Sequence, residues 1–241
     1  MKIYCYQQKG SAGDKTEMDD RVLIGKNIMA SGYHFCDMTK EYVVGIFDGV
    51  GGLKGSAYAS AMAAKALSEI YLPASKDDIT GALRRIHSML VQDSSTATTA
   101  TGLVWNDPTS VILFHVGNTR ISGLQNGYLV PLTEDQTNYE KMKREGFDEG
   151  LIPSSLKCVL TACLGVRDEL LSELIVQDYS EDISRFSRIL ITSDGVHDYV
   201  SIDDLEDFLK DSMTFASLER LANRACEAGS EDDISIVVLE P

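Results

Sequence analysis

The sequence predicts an α+β fold, and three observations carry that prediction. Short apolar runs rich in valine and isoleucine recur along most of the chain, as strands do. Helical periodicity is confined to two pairs of segments, 55–72 with 77–92 and 201–210 with 215–228. No repeat, linker or low-complexity tract divides the sequence. Helix pairs inserted into a series of strands point to α+β packing in a single domain, residues 1–241.

Residues 2–8 and 21–30 read as strands on either side of a polar connection, 9–20. Val43-Val44-Gly45-Ile46-Phe47 reads as a buried strand ending on Asp48. Gly49, Gly51 and Gly52 follow, so the backbone there can turn sharply and approach a ligand closely. The Ala-rich stretch 55–72 reads as a helix. In 77–92, Ile79, Leu83, Ile86 and Leu90 recur at three- and four-residue spacing, with Asp77-Asp78 at the positive end of the helix dipole. Residues 98–105, 110–116 and 120–125 read as successive antiparallel strands, and Asn126-Gly127 turns the last of them back through 128–130.

Residues 133–157 are polar, place Lys141, Lys143 and Arg144 on a short helix, and read as a surface flap. Strands return at 157–162, 172–178 and 188–193. Ser201-Ile202-Asp203-Asp204 reads as a capping box opening a helix to Lys210. A last helix carries Phe215, Leu218, Leu221, Ala222 and Ala225 and stops at Gly229, and 234–239 closes the fold as a strand.

Twenty-two basic and 37 acidic residues leave a net charge of −15, which repels nucleic acid and anionic membranes. Five cysteines, at 5, 36, 158, 163 and 226, show no CxxC spacing and read as reduced, scattered core thiols. The N-terminus has no signal-peptide core, and no apolar run approaches the ~20 residues that cross a bilayer. The chain reads as a soluble, cytoplasmic monomer.

Four acidic clusters stand at strand ends. Asp48-Gly49 and Asp194-Gly195 each end an apolar run, Glu231-Asp232-Asp233 opens one, and Glu17-Met18-Asp19-Asp20 precedes another. Any one of them alone is more often a turn than a ligand. Four together, converging on one sheet edge, would make an oxygen-only site for hard cations such as manganese or magnesium, with room for two ~3.5–4 Å apart. Lys54-Gly55-Ser56 has the wrong order for a nucleotide-binding GxxxxGK[ST] loop.

These motifs, in this order, resemble the PPM-type (type 2C) metal-dependent protein serine/threonine phosphatases in their compact bacterial form. Met18-Asp19-Asp20 resembles the first acidic motif, Asp48-Gly49-Val50-Gly51-Gly52 the DGxGG signature, and Gly117-Asn118-Thr119-Arg120 the GDSR motif. Leu160-Thr161-Ala162-Cys163-Leu164-Gly165 resembles LTRALG, and Asp194-Gly195-Val196-His197-Asp198 and Asp232-Asp233-Ile234-Ser235 the last two motifs. The resemblance implies a four-layer α-β-β-α sandwich of two antiparallel sheets flanked by helix pairs. It implies hydrolysis of phosphoserine and phosphothreonine by a water bridging two Mn²⁺ or Mg²⁺ ions. Asp48 would bridge the metals; Asp194 and Asp232 would complete one, and Asp20 and the Gly49 carbonyl the other. The substrates would be phosphorylated proteins of a cognate Ser/Thr kinase. The alternatives are a catalytically weak regulatory or binding module on the same fold, or a phosphatase specialised for an anti-sigma-factor antagonist.

The sequence departs from the family pattern at several points. The phosphate-binding arginine corresponds to Lys15, a point charge without the bidentate fork. A third, weaker metal of the family would use Asp198 and Asp194, but its GDSR aspartate is Asn118, which adds no charge. The histidine that often follows Asp-Gly is Val50, and His197 stands where relatives carry an aromatic residue and reads as structural.

Overall fold

Two six-stranded antiparallel sheets lie face to face in the computed structural model, which describes residues 1–12, 16–93, 95–107 and 110–240. In chain order the strands are β1 (Lys2–Gln8), β2 (Arg21–Ile24), β3 (Asn27–Met29), β4 (Gly32–Asp37) and β5 (Tyr42–Phe47). Helices α1 (Ser56–Ser68) and α2 (Lys76–Leu90) follow. Then come β6 (Ala97–Thr98), β7 (Ala100–Asp107), β8 (Ser110–Val116), β9 (Arg120–Gln125) and β10 (Tyr128–Pro131). The remaining elements are α3 (Asn138–Arg144), β11 (Leu164–Gly165), β12 (Ile175–Asp178), β13 (Arg188–Thr192), α4 (Asp194–His197), α5 (Ile202–Lys210), α6 (Phe215–Glu227) and β14 (Ile234–Glu240). One sheet runs β10-β9-β13-β14-β1-β4 and the other β12-β8-β7-β5-β2-β3, with β6 and β11 paired separately.

The central strands are apolar on both faces because both faces are covered. Val44 and Ile46 of β5 point between the sheets, against Val237 and Leu239 of β14, while Val43 and Phe47 point outward onto α1 and α2. On the far side, Ile234, Ile236 and Val238 lie under α5 and α6. Four layers, helices outside and sheets inside, follow directly. Within one sheet, glycines let neighbouring strands and a ring pack closely. Gly45 pairs with Gly102 across β5 and β7, and a Cβ at Gly102 would lie 2.6 Å from the Phe114 ring.

Local chemistry sets the helix ends. Ser75 and Asp78 form a reciprocal capping box on α2, and Gly229 (φ +102) follows α6 in the left-handed conformation that glycine favours. At α5 the box is half made: Ser201 accepts from the Asp204 amide, and its hydroxyl donates to the Asp204 carboxylate in place of the return bond.

Four expectations need correction. The stretch 21–30 is a hairpin, β2 and β3, turned by Gly25 at φ +62. Strand β4 was unforeseen, because its inward positions are His34 and Cys36 and carry no apolar alternation. Residues 157–162 are not a strand: a 3-10 turn spans Ser154–Cys158, and only Leu160 bridges, to Thr137. This segment has loop 136–138 beside it and no strand to pair with. Nor are all the thiols in the core; Cys5 and Cys163 are buried, but Cys158 and Cys226 are exposed. Among the described residues, no helix is long and apolar enough to cross a membrane.

Candidate active site

The end of β5, the end of β13 and the start of β14 meet at one end of the sandwich, and each delivers an aspartate there. Asp48 is clamped through its backbone. Its N–H donates to Thr99 Oγ1 (3.0 Å), and its carbonyl accepts from Thr99 N (2.8 Å) and Thr98 Oγ1 (2.9 Å). A β-carbon on Gly49 would lie 2.7 Å from the Ser56 carbonyl and 2.8 Å from that of Asp19, so only glycine lets these loops close. The hydroxyl of Ser56 donates to Asp19 Oδ1 (2.7 Å), fixing the loop that leads to Asp20.

Asp233 organises the far side. Its buried carboxylate accepts backbone N–H bonds from Gly10 (2.8 Å), Asp19 (2.6 Å) and Asp20 (3.2 Å). Ser235 donates to Asp20 Oδ2 (2.7 Å). Ser193 and Ser235 exchange bonds across β13 and β14, setting Asp194 one residue beyond the pair.

Asp48 stands at the centre, its carboxyl within hydrogen-bonding reach of both Asp20 and Asp194. Desolvation, then the charges of Asp20, Asp194 and Asp232, hold it well above the usual carboxylate range. Burial and the neighbouring Asp233 push Asp20 up to about 8, against the Ser235 bond. Asp194 is pushed up to about 7 by desolvation, then by Asp232 and Asp198, while the Asn118 amide (Nδ2 to Oδ2, 2.9 Å) opposes the rise. Such a cluster stays ionised only beside compensating positive charge.

Arg120 supplies some of that charge at the rim. It makes a bidentate pair with Asp135 (2.8 and 2.7 Å) and stands 3.9 Å from Asp198. Desolvation raises Asp198, and the charges of Arg120 and Lys157 pull it back. The Cys158 thiol, just after the flap, is raised by desolvation and by the fields of Asp194, Asp198 and Asp232.

Thus Asp20, Asp48, Asp194 and Asp232 act on one another, Gly49 sits in the turn beside them, and Asn118 and Asp198 border Asp194. Lys15 lies outside the described residues. Among the described residues, no group of three or more His, Cys, Asp or Glu side chains is arranged to hold an ion as it stands. The donor set nevertheless fits hard cations, being carboxylates crowded beyond what they tolerate uncompensated. Sequence reasoning missed the part played by Asp233. Its signal was the doublet before an apolar strand, where side-chain alternation turns one carboxylate inward and the other out.

No family model matches the chain. It is similar to the serine/threonine phosphatase stp of Listeria welshimeri and to that of Listeria monocytogenes. Each is 24% identical over 238 residues, covering 92% of this chain and 93% of the relative. Among solved structures, Stp1 from Staphylococcus aureus superposes with a TM-score of 0.78 at 16% identity, over 99% of this chain and 94% of that one. The chain has the PPM-type phosphatase fold. The serine/threonine phosphatase PstP/Ppp of Mycobacterium tuberculosis shares this fold, with a TM-score of 0.74 at 20% identity over 100% of this chain and 99% of its own. PPM-type phosphatases are metal-dependent, generally on manganese or magnesium.

Proposed function

We propose that this protein hydrolyses phosphoserine and phosphothreonine in proteins, using two cations held by Asp20, Asp48, the Gly49 carbonyl, Asp194 and Asp232. One observation carries the proposal: a central carboxyl, Asp48, reaches both Asp20 and Asp194 at the common end of two sheets, where burial and mutual repulsion hold all three above the usual carboxylate range. When bound, manganese or magnesium supplies Lewis-acid charge to the phosphoryl oxygens and lowers the pKa of water towards neutrality. The chain's own part is to hold the site rigid. Thr98 and Thr99 fix the Asp48 backbone, Asp233 fixes the approach to Asp20, and Asn118 orients Asp194.

Lys15 would add a positive charge for the substrate phosphoryl group. The segment 133–157, with α3 and the Lys157–Cys158 turn beside Asp198, would face the protein substrate, supplied by a serine/threonine kinase. A module that had lost turnover has no need of four crowded carboxylates.

The test is release of phosphate from a phosphothreonine peptide and from p-nitrophenyl phosphate, with manganese and with EDTA. Turnover that requires manganese is expected. No turnover of either substrate across a manganese titration would overturn the proposal.

A further inference from the structure

The two large sheets have four edge strands, and three of them are blunted. An edge invites pairing with another chain unless it is short, charged or interrupted by proline. Strand β3 has three residues, β12 has four and ends on Asp178, and β10 has four and ends on Pro131. Strand β4 has six, and its stretch 32–36 holds no proline, lysine, arginine or carboxylate. The monomer read from sequence takes no account of this edge, because β4 itself escapes periodicity.

The free side of β4 can be assigned. The Met1 amino group donates to the Met38 carbonyl (3.3 Å), and the Met38 N–H to the Met1 carbonyl (2.9 Å), one step beyond the register pair Lys2 and Asp37. Alternation along an antiparallel ladder then turns the backbone groups of Cys36, His34 and Gly32 towards β1, and those of Tyr33 and Phe35 outward. Rings cover the same margin. Tyr33, Phe35 and Phe215, which opens α6, are 38, 46 and 45% exposed. Phe35 rests on Tyr4 (centroids 5.1 Å apart), and Phe215 on Tyr33 (5.4 Å) and Tyr6 (5.9 Å).

The segment is complementary to itself. Tyr33-His34-Phe35 is aromatic, histidine, aromatic in either direction. With a two-fold axis at His34, Tyr33 of one copy meets Phe35 of the other, exchanging both backbone bonds, and symmetry repeats the pair. This continues the aromatic pairs that β4 already makes with β1, Tyr33 opposite Tyr6 and Phe35 opposite Tyr4. Charge suits the same register. Each copy carries −15, yet Asp37 falls opposite Ser31 of the other copy, so no carboxylate meets another along the seam.

We propose that β4 pairs antiparallel with β4 of a second copy, joining the two β10-β9-β13-β14-β1-β4 sheets into one across a symmetric dimer. Gly32 lies opposite Gln7, which bonds Ser235 beside Asp20, so it marks the end of β4 nearer the carboxylates. Antiparallel pairing therefore points the two sites to opposite ends of the joined sheet, and each copy keeps its own open site. At ~150–250 Å² per aromatic ring, the exposed parts of the three rings offer roughly 250 Å² per copy. The contact is small, and a Kd of ~10 μM is expected.

Sedimentation velocity of the full chain across a concentration series measures the association, and amide hydrogen exchange at Tyr33 and Phe35 locates it. A dimer is expected that tightens several-fold from about 0.05 to about 0.5 M sodium chloride, as salt screens the repulsion between two chains of −15. The Tyr33 and Phe35 amides should exchange fast in dilute protein and become protected as the dimer fills. Phe35→Lys sets a charge on the seam and should abolish association while the chain still melts cooperatively. Tyr33→Lys repeats the test should the first variant lose its fold. A wild type that stays monomeric to roughly 1 mM, about a hundredfold above the expected Kd, overturns the proposal. So does a dimer that leaves those two amides unprotected, weakens as salt is added, or survives both lysine variants.

Discussion

Stripping the metal and raising the pH should destabilise this protein by an amount that can be worked out. Asp20 keeps its proton to about pH 8 and Asp194 to about pH 7 in the folded, metal-free chain, whereas the unfolded chain releases both near ~3.9. Between those limits the folded state binds more protons. Stability is therefore fully present below the unfolded value and is lost as pH rises through the folded one. The useful window starts at pH 6.5. Below it, His115 and His197, both held under the ordinary imidazole value by burial, add stability with rising pH and mask the effect.

At ~1.36 kcal/mol per proton per pH unit, the change from pH 6.5 to 8 amounts to roughly 2–3 kcal/mol from Asp20 and Asp194 together. For a chain of this size that is roughly 5–10 °C in Tm. Scanning calorimetry in EDTA at the two pH values, at constant ionic strength, measures it. Manganese should reverse the slope, since ligation requires ionised carboxylates. A metal-free Tm that is level or rises across this window would refute the reasoning, because the carboxylates would then not be crowded as described.

Asp48→Asn should cost about a hundredfold or more in turnover, since even partners outside a ligand shell cost 10–100-fold; it should also raise the metal-free Tm by relieving repulsion, and activity within tenfold of wild type would count against the central role. Asn118→Asp replaces a donor to Asp194 with a second carboxylate. It should lower stability in EDTA and add a further manganese-binding event by calorimetry, where the wild type shows two tight events alone. Manganese at a hundredfold excess over its Kd should stabilise the wild type by ~2.7 kcal/mol, and EDTA should remove the gain in a thermal melt. Gly123→Ala drives a methyl group into the Phe186 ring, at an overpacking cost of ~1–3 kcal/mol, with manganese affinity unchanged by titration.

Much of the fold was legible because the central strands are covered on both faces. Runs such as 43–47 and 189–191 are apolar without alternation, and the aspartate that stops each one marks the sheet end. The glycines after Asp48 and Asp194 were readable for the same reason: Gly49 packs against Ser56 and Asp19, and Gly195 against Asp233. What stayed hidden depends on tertiary register. Asp232 and Asp233 are adjacent and chemically alike, yet one is exposed and the other gathers three amides, a division only strand phase decides. Arg120 meets Asp135 through a chain reversal that leaves no local pattern. Strand β4 has polar residues where an inward face is usually apolar, so it was invisible to periodicity.

The carboxylate of Asp233 binds amides 214 and 223 residues away, and β1 lies beside β14 in the sheet. A site stitched from segments this far apart in sequence must form late in folding. During synthesis, β5 and its helices can pack early, yet Asp20 lacks its Asp233 and Ser235 partners until β14 has been made and inserted next to β1. Pairings of such long sequence separation carry a large loop-closure cost and form slowly. A nascent or C-terminally clipped chain would therefore keep its helix-covered sheet while lacking a working site. The protein would acquire hydrolytic competence in one late step, the same step in which β14 completes the core between the sheets.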